Sequence, residues 1–475
     1  MASTEYDAVV VGAGPNGLGA AVELARNGKS VLVLEAAETI GGGTRTAELT
    51  LPGFAHDVCS AVHPMGQASP FFTKLPLADF GLEWVHPTIP LAHPFDDGTA
   101  ALLHRSVDTT STTLGVDADA YRRVMNPMVG KANALIDGFL SPILRVPRHP
   151  FVMLGLLRHA LKPATKLAHS LFSGDRAKGL FGGNAVHAIL PLDQRPTGAF
   201  GLVYGFLGHA FGWPFAKGGS KAITDALGRY LWSIGGRIEC NHRVGAFNEL
   251  PPARSYLFDL TPRQLLEIAG DQLSSGYARR LSRFRHGPGL FKIDWALDGP
   301  IPWTAQGCAD AGTLHLVGSF EESVESEAAV ARGEHPQRPW VILSQPTLFD
   351  PSRAPEGKHT AWAYCHVPHG STVDMTAILE DQVERFAPGF NQLVIGRSVK
   401  TAYDLHAYNE NYIGGDITCG VADIRQLVFR PVAKTSPWST PHPGIYICSS
   451  STPPGPAVHG MCGYYAARAV LDRLW

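Results

Sequence analysis

Gly12, Gly14 and Gly17 have the spacing of a turn that can hold a phosphate. Asp7-Ala-Val-Val-Val11 precedes them, and an Ala/Leu-rich stretch, Leu18 to Asn27, follows. In such a strand, turn and helix Gly12 permits the tight turn and Gly14 lets the backbone approach a pyrophosphate. Gly17 lets helix and strand pack closely. The helix N-terminus adds unpaired N–H groups and a partial positive charge. A second strand, Ser30-Val-Leu-Val-Leu-Glu35, ends in an acid placed to accept a hydrogen bond from a ribose 2′-hydroxyl. Strand, turn, helix and acid together predict a dinucleotide site, which a lone glycine motif would not.

The residues that follow narrow the choice of dinucleotide. In Thr39-Ile-Gly-Gly-Gly-Thr-Arg-Thr-Ala-Glu48 three successive glycines keep side chains out of a ligand's way. Arg45 can pair with a phosphate oxygen or bridge to the acid. The run resembles the Gly-Gly-Arg segment of flavoproteins of the phytoene desaturase and amine oxidase superfamily. That resemblance implies FAD rather than NAD, with Gly42, Gly43, Thr44 and Arg45 at the cofactor. Near the C-terminus, Gly444-Ile-Tyr-Ile-Cys448 reads as a strand, followed by a small-residue loop and a helix that opens near Gly460. Gly460, Met461 and Cys462 would place that helix N-terminus where it stabilises negative charge on a flavin as it is reduced. Ser450 in the loop and Val244, after the strand Arg237-Ile-Glu-Cys240, complete the expected cofactor-binding set.

The resemblance extends along nearly the whole chain. His56-Asp-Val-Cys-Ser-Ala-Val-His-Pro64, Leu260-Thr-Pro-Arg-Gln-Leu265, Tyr364-Cys-His-Val-Pro-His-Gly-Ser371, Gly414-Gly-Asp-Ile417 and Ser449-Ser-Ser-Thr-Pro-Pro454 are among the stretches that carry it. They resemble the phytoene desaturase-like FAD oxidoreductases, and most closely the branch of pyridine nucleotide-disulphide oxidoreductase domain-containing proteins, related to carotenoid desaturases and retinol saturase. The resemblance implies non-covalent FAD in a Rossmann-like domain with a substrate domain above it. Two stretches depart from the pattern: Gly455-Pro-Ala-Val-His459, where relatives are richer in glycine, and Asn409-Glu-Asn411, where an Asn-Pro-Asn turn is common. Only one G-x-G-x-x-G follows a strand, whereas reductases that bind two nucleotides need a second. This argues against an NAD(P)H-dependent reductase and leaves oxygen, a quinone or another acceptor to reoxidise the flavin, unless the flavin is recycled within one turnover.

Hydride transfer to flavin N5 needs alignment, and alkene formation also needs a group that takes a proton. Histidine, with an ordinary pKa of about 6.5, suits that task. Of the 20 histidines, His63 follows the glycine run in a portion that returns toward the flavin in related folds. His459 adjoins the C-terminal helix. His366 and His369 read more readily as strand-end structure. Lys292, in Gly289-Leu-Phe-Lys-Ile-Asp-Trp295, resembles the position of a flavin-N5 lysine in amine oxidases, where its charge would assist oxygen reduction. Its ordinary alternative is an exposed lysine on the outward face of a strand. Tyr412 is placed near the cavity without a role.

These residues need a scaffold, and the chain supplies two α/β rhythms. The expected fold is a discontinuous Rossmann-like FAD domain (1–70, 215–290 and 420–475) with an inserted substrate domain of mixed sheet and helices (71–214 and 291–419). At 475 residues and 45% hydrophobic, the chain can bury two cores. A net charge of −2 gives no footprint for nucleic acid. Seven scattered cysteines without CxxC spacing predict reduced thiols, no metal and a cytoplasmic setting. No apolar run reaches a membrane span. Leu140 to Ser173 carries no acid and places Arg145, Arg148, Arg158, Lys162 and Lys166 among Phe151, Leu154, Leu156 and Leu157. Such a stretch offers peripheral membrane contact and a path for a greasy substrate, or forms a core-packed helical pair. The partner expected is a small hydrophobic or secondary-metabolite substrate. Desaturation of a C–C bond leads, with C–N oxidation, redox-neutral isomerisation and a purely structural flavoprotein as alternatives.

Overall fold

Two sheets built from interleaved stretches of chain organise the molecule. The structure, a computed structural model, describes residues 5–142 and 149–475, and of 155–158 and 160 the backbone alone. The first sheet is parallel throughout, in the order Ile445–Ile447, Ala253–Phe258, Tyr6–Val11, Val31–Leu34, Arg237–Glu239. Its central strand has Ala8, Val9 and Val10 fully buried. Coverage of both faces explains the unbroken apolar run at 8–11. Val9, Val11, Leu32, Leu34, Phe258 and Leu265 pack together on one face.

On the other face lie the helices Pro15–Arg26 and Met461–Leu474. A Cβ on Gly463 would fall 1.8 Å from the Asn16 carbonyl oxygen, and one on Gly19 would fall 2.9 Å from that of Gly460. Glycine at both positions therefore lets the first and last helices cross at contact distance, bringing two helix N-termini to one region. The first helix starts at Pro15, three residues earlier than the apolar pattern suggests, because Pro at N1 is pre-set for helical φ and gives up an N–H that has no partner there.

The second sheet has seven strands, in the order Val394–Lys400, Gly289–Leu297, His359–Val367, Val341–Ser344, Ala311–Leu316, Ile89–Pro94, Ala100–Leu103. All pairs are antiparallel except Ala311–Leu316 with Ile89–Pro94. The helices Asp175–Ala185 and Thr197–Ala210 pack against its last strands. A parallel sheet with helices and a separate mixed sheet with helices is the fold class read from the sequence. The strand Gly289–Leu297 departs from one expectation: all nine of its residues are buried. It lies between two neighbours and is covered on both faces, so Lys292 has no outward side to point to and is only 2% exposed.

Candidate functional site

The carboxyl ends of the parallel strands converge on the glycine turn, where ligands of open α/β sheets bind. Gly12 has φ +101°, in the region that favours glycine. Gly14 caps the first helix with no side-chain hydrogen bond of its own and no acid in the first turn, which keeps that end electropositive toward an anion. A Cβ on Gly14 would lie 2.7 Å from Asp259 Oδ2, and one on Gly17 would lie 2.0 Å from the Gly12 carbonyl oxygen. The turn admits no side chain at either position.

Glu35 closes the second strand and is 8% exposed. Its Oε2 accepts from Ala13 N–H at 2.8 Å, and its Oε1 from Ala37 N–H at 2.9 Å and Arg45 Nη2 at 3.2 Å. Arg45 thus bridges to the acid, one of the two roles foreseen for it, and also donates to the Thr39 carbonyl at 2.8 Å. A carboxylate has about four acceptor directions. Oε2 keeps one free for a ribose hydroxyl.

Asp259 is a site residue that the sequence reading passed over. Its Oδ2 accepts the Gly17 N–H at 2.9 Å. Burial above all, then the Glu35 charge, pushes its carboxyl well above the ordinary range, against the pull of that N–H. A neutral acid beside a phosphate cradle can donate, where a carboxylate would repel. The available signal was positional: an acid at the carboxyl end of the strand next to the glycine turn. Asn411 ties the neighbouring loop to this strand end, donating to the Asp259 carbonyl at 3.1 Å and accepting from Thr261 N–H at 2.8 Å.

From the cradle a cavity of about 960 Å³ runs into the protein, starting at Gly14, Asn16 and Ser450 and passing Gly42, Gly43 and Thr44. Asn16 Nδ2 donates to Ser450 Oγ at 3.2 Å, while Asn16 Oδ1 is buried without a partner. Met461 and His459 line the same stretch. A Cβ on Gly43 would sit 2.1 Å from the Tyr412 hydroxyl. The third glycine of the run is therefore required by the close approach of Tyr412. Farther in, Cys59, Tyr364, His187 and Tyr204 form the wall, and Phe139, Leu140, Met153, Leu161, Phe200 and Val203 continue it.

The three candidate catalytic groups, His63, His459 and Lys292, end in different places. His459 reaches the cavity. Its Nδ1 accepts the Met461 N–H at 3.0 Å, which leaves the proton of the neutral ring on Nε2, and Nε2 has no partner. Burial lowers its pKa to about 4. His63 is buried away from the wall. Its Nε2 lies 2.8 Å from Ser220 Oγ, which itself donates to the Ser60 carbonyl at 2.6 Å, so His63 is the donor. Beside it Asp57 accepts from Ser220 N–H at 2.7 Å and pairs with Arg353 at 2.8 Å. Lys292 is ion-paired with Asp294, and His56 Nδ1 stands 3.6 Å from the other Asp294 oxygen. This buried charge cluster does not reach the cavity wall.

Other assignments separate in the same way. His366 Nδ1 is 2.9 Å from both Glu327 oxygens, and His369 Nδ1 is 2.8 Å from the Gly287 carbonyl; neither lines the cavity. Val244 packs with Val9 and Leu32 on the sheet's opposite face. Cys462 Sγ donates toward the carbonyls of Gly455 at 3.3 Å and Thr452 at 3.4 Å, bracing the loop before the last helix. Gly460 caps that helix at φ +67°. His187, on the wall, carried no signal that set it apart from the other histidines.

At the outer end, Met153 and Leu161 line the cavity while Phe151 and Leu154 are 87% and 65% exposed. Exposure on that scale is not core packing. Arg145 and Arg148 lie outside the described residues, as do the side chains of Leu156, Leu157 and Arg158. Among the described residues no helix is long and apolar enough to cross a membrane, and no group of His, Cys, Asp or Glu is arranged to hold a metal.

Comparison with known proteins agrees with this geometry. Residues 10–75 match the NAD(P)-binding Rossmann-like domain family. The chain is 26% identical to pyridine nucleotide-disulfide oxidoreductase domain-containing protein 2 of Rattus norvegicus, over 99% of this chain and 94% of the rat protein. Among solved structures, an oxidoreductase from Methanosarcina mazei superposes with a TM-score of 0.67 at 16% identity, covering 98% of this chain and 99% of that one. A triple mutant of putrescine oxidase superposes with a TM-score of 0.64 at 16% identity, covering 98% of each chain. The structural likenesses show a shared fold, and the full-length match shows homology to the oxidoreductase-domain protein.

Proposed function

We propose that this homologue of an oxidoreductase-domain protein is an FAD-dependent oxidoreductase that removes hydride from a hydrophobic or secondary-metabolite substrate, forming a C–C double bond. One observation carries the reading: the dinucleotide cradle opens into a cavity whose inner wall is aromatic and apolar. Of the acids that line it, Asp259 belongs to the cradle, Glu23 to the first helix and Asp137 to the helix Ala132–Phe139. None stands with Cys59, Tyr364, Tyr412, His187 and Tyr204, where a protonated amine would want a counter-charge. The cavity volume suits a bulky ligand.

The residues present fit FAD. Gly14 and Gly43 put bare backbone on the cavity wall, Asn16 Oδ1 is a buried acceptor without a partner, and Glu35 keeps a lone pair for a ribose. Bound FAD would supply a two-electron acceptor for hydride. The chain's part is to bind it through Gly14, Asn16, Glu35 and Ser450, and to offer the dipole of the helix Met461–Leu474 to its developing charge. His459, closed off at Nε2, would brace the start of that helix through the Met461 N–H that its Nδ1 accepts. Oxygen or a quinone would then accept the electrons.

A second reading, oxidation of a C–N bond, is favoured by Tyr364 and Tyr412, which both line the cavity and are of the residue type whose rings hold cations. Anaerobic mixing of the FAD-loaded protein with a panel of polyenes, terpenoids and amines decides between them. Bleaching of the flavin band by a neutral polyene or terpenoid supports desaturation. Bleaching by amines alone would overturn it in favour of the second reading.

A further inference from the structure

Two buried histidines, His93 and His315, and the half-buried His187 lie in file between the cavity and the protein surface. His187, in the turn Val186–Ala188, lines the cavity with its ring stacked on Tyr204 at 4.5 Å. Its Nε2 is 3.1 Å from His315 Nε2. His315 and His93 stand on neighbouring parallel strands, where the pairing of Leu314 with Ala92 sets them side by side on one face. The helix Asp175–Ala185 crosses over them at glycine. A Cβ on Gly183 would fall 2.7 Å from His315 Nδ1 and 3.0 Å from His93 Nδ1. Both nitrogens are buried with no hydrogen-bond partner, and they face the same small space. His93 Nε2 completes the file, 2.8 Å from the Gly318 carbonyl oxygen. A Cβ on Gly318 would be 2.5 Å from Glu322 Oε2, 2.7 Å from Arg385 Nη2 and 3.3 Å from Asp96 Oδ2; Arg385 pairs with both carboxylates, and that of Asp96 is 60% exposed.

One set of tautomers gives this file a single donor direction. A carbonyl only accepts, so His93 carries its proton on Nε2 and leaves Nδ1 bare. If His315 were also bare at Nδ1, two buried acceptors would face each other with nothing between them to share. His315 therefore donates from Nδ1 and accepts at Nε2 from His187 Nε2–H. That leaves Nδ1 of His187 bare, on the one ring of the three that lines the cavity. Every donor in the file then points away from the cavity.

We propose that His187, His315 and His93 form a proton relay that joins the cavity to the surface at Glu322 and Asp96. A proton taken from a substrate carbon by His187 Nδ1 displaces the Nε2 proton onto His315 Nε2. His315 releases its Nδ1 proton to His93 Nδ1 across a water in the space the two atoms share, and the His93 Nε2 proton leaves past Gly318 to Glu322, Asp96 and solvent. One proton enters and one leaves, and no electron moves along the file. The C–H electron pair left behind becomes the new C–C π bond, while the hydride from the adjacent carbon carries its two electrons to the cofactor. The relay rests on the proposed reaction for the origin of its proton. Burial lowers His187 to about 3 and His93 to about 4, and His315 well below the ordinary range, so each ring is uncharged at neutral pH and passes a proton on without storing it. The alternative is three rings packed as filler, and it has no need of a matched donor direction.

The test is nitrogen NMR of the FAD-loaded protein labelled with 15N-histidine, its signals assigned with His93→Gln, His187→Gln and His315→Gln. The relay predicts the Nε2–H tautomer for His93 and His187 and the Nδ1–H tautomer for His315. Gly183→Ala, which puts a methyl between the two Nδ1 atoms, should slow exchange of the His315 proton with water by about tenfold or more. His93→Phe, which removes the next acceptor without adding bulk over the helix, should slow it as well. His315 protonated on Nε2, or exchange unchanged in both variants, overturns the relay. The visible spectrum of the same sample judges the cofactor separately. A flavin spectrum with the wrong tautomers refutes the relay alone, and a colourless protein with the right ones refutes the cofactor reading alone.

Discussion

Replacing Asp259 with Asn probes the phosphate cradle without emptying it. Asn keeps an oxygen to accept the Gly17 N–H, which now lies 2.9 Å from Asp259 Oδ2, but it cannot ionise. Burial holds the Asp259 carboxyl well above its ordinary range, with a further push from Glu35. The folded chain therefore keeps a proton that the unfolded chain has released above a pH of about 3.9. Between the unfolded and the folded pKa the native state binds the extra proton, so this group's stability contribution is full below the unfolded value and is lost as pH rises. The slope is at most about 1.4 kcal/mol per pH unit. Asp259→Asn removes this dependence and leaves every other group in place. Urea unfolding of both proteins without cofactor, across a pH range of about 5 to 8, should show the variant gaining on wild type as pH rises. The gain levels off where Asp259 ionises in the folded state. A difference that stays flat, or that shrinks with rising pH, would refute the claim that the cradle holds a neutral acid.

Three further outcomes follow from the same geometry. Gly43→Ala should weaken FAD binding by about tenfold or more, since its methyl would meet the Tyr412 hydroxyl at 2.1 Å. Tyr412→Phe in the same chain should restore part of that loss, as read by flavin fluorescence titration of the double-mutant cycle. Arg353→Met should cost about 3–5 kcal/mol in chemical denaturation, because it strands the buried Asp57 charge; the double variant with Asp57→Asn should lose much less. Acid should unfold the protein steeply. Burial lowers His56 and His187 to about 3 and His63, His93, His209 and His459 to about 4, so the unfolded chain takes up protons that the folded chain refuses. Stability is then full above the unfolded value of about 6.5 and falls as pH drops toward 4, and His63→Gln should reduce the slope by up to about 1.4 kcal/mol per unit.

What the sequence disclosed depended on how local the determinant was. The glycine turn, the acid at Glu35 and the flanking strands lie within 35 residues and obey a short geometric rule, so they could be read directly. Arg45 was legible for the same reason, down to its bridge to Glu35. Asp259 lies 242 positions from Gly17, and its role exists only because the strand Ala253–Phe258 pairs beside Tyr6–Val11. Lys292 shows a different limit. Alternation along a strand identifies an outward face only when one face of the sheet meets water, and here neither does. The histidines were hardest. His63, His187 and His459 are chemically identical in sequence, and only tertiary packing sends one into a serine network and the other two to the cavity wall. Cofactor cradles are written locally, whereas proton-handling groups are assembled from distant turns.

The central claim is that the cradle holds FAD at the head of an apolar cavity. Titration of the cofactor-free protein with FAD, followed by flavin fluorescence with NAD present as competitor, tests it most directly. Saturable quenching at a single equivalent is expected, unaffected by excess NAD and abolished or much weakened in Gly14→Val, whose side chain would run into Asp259. No binding of FAD, or its ready displacement by NAD, would contradict it.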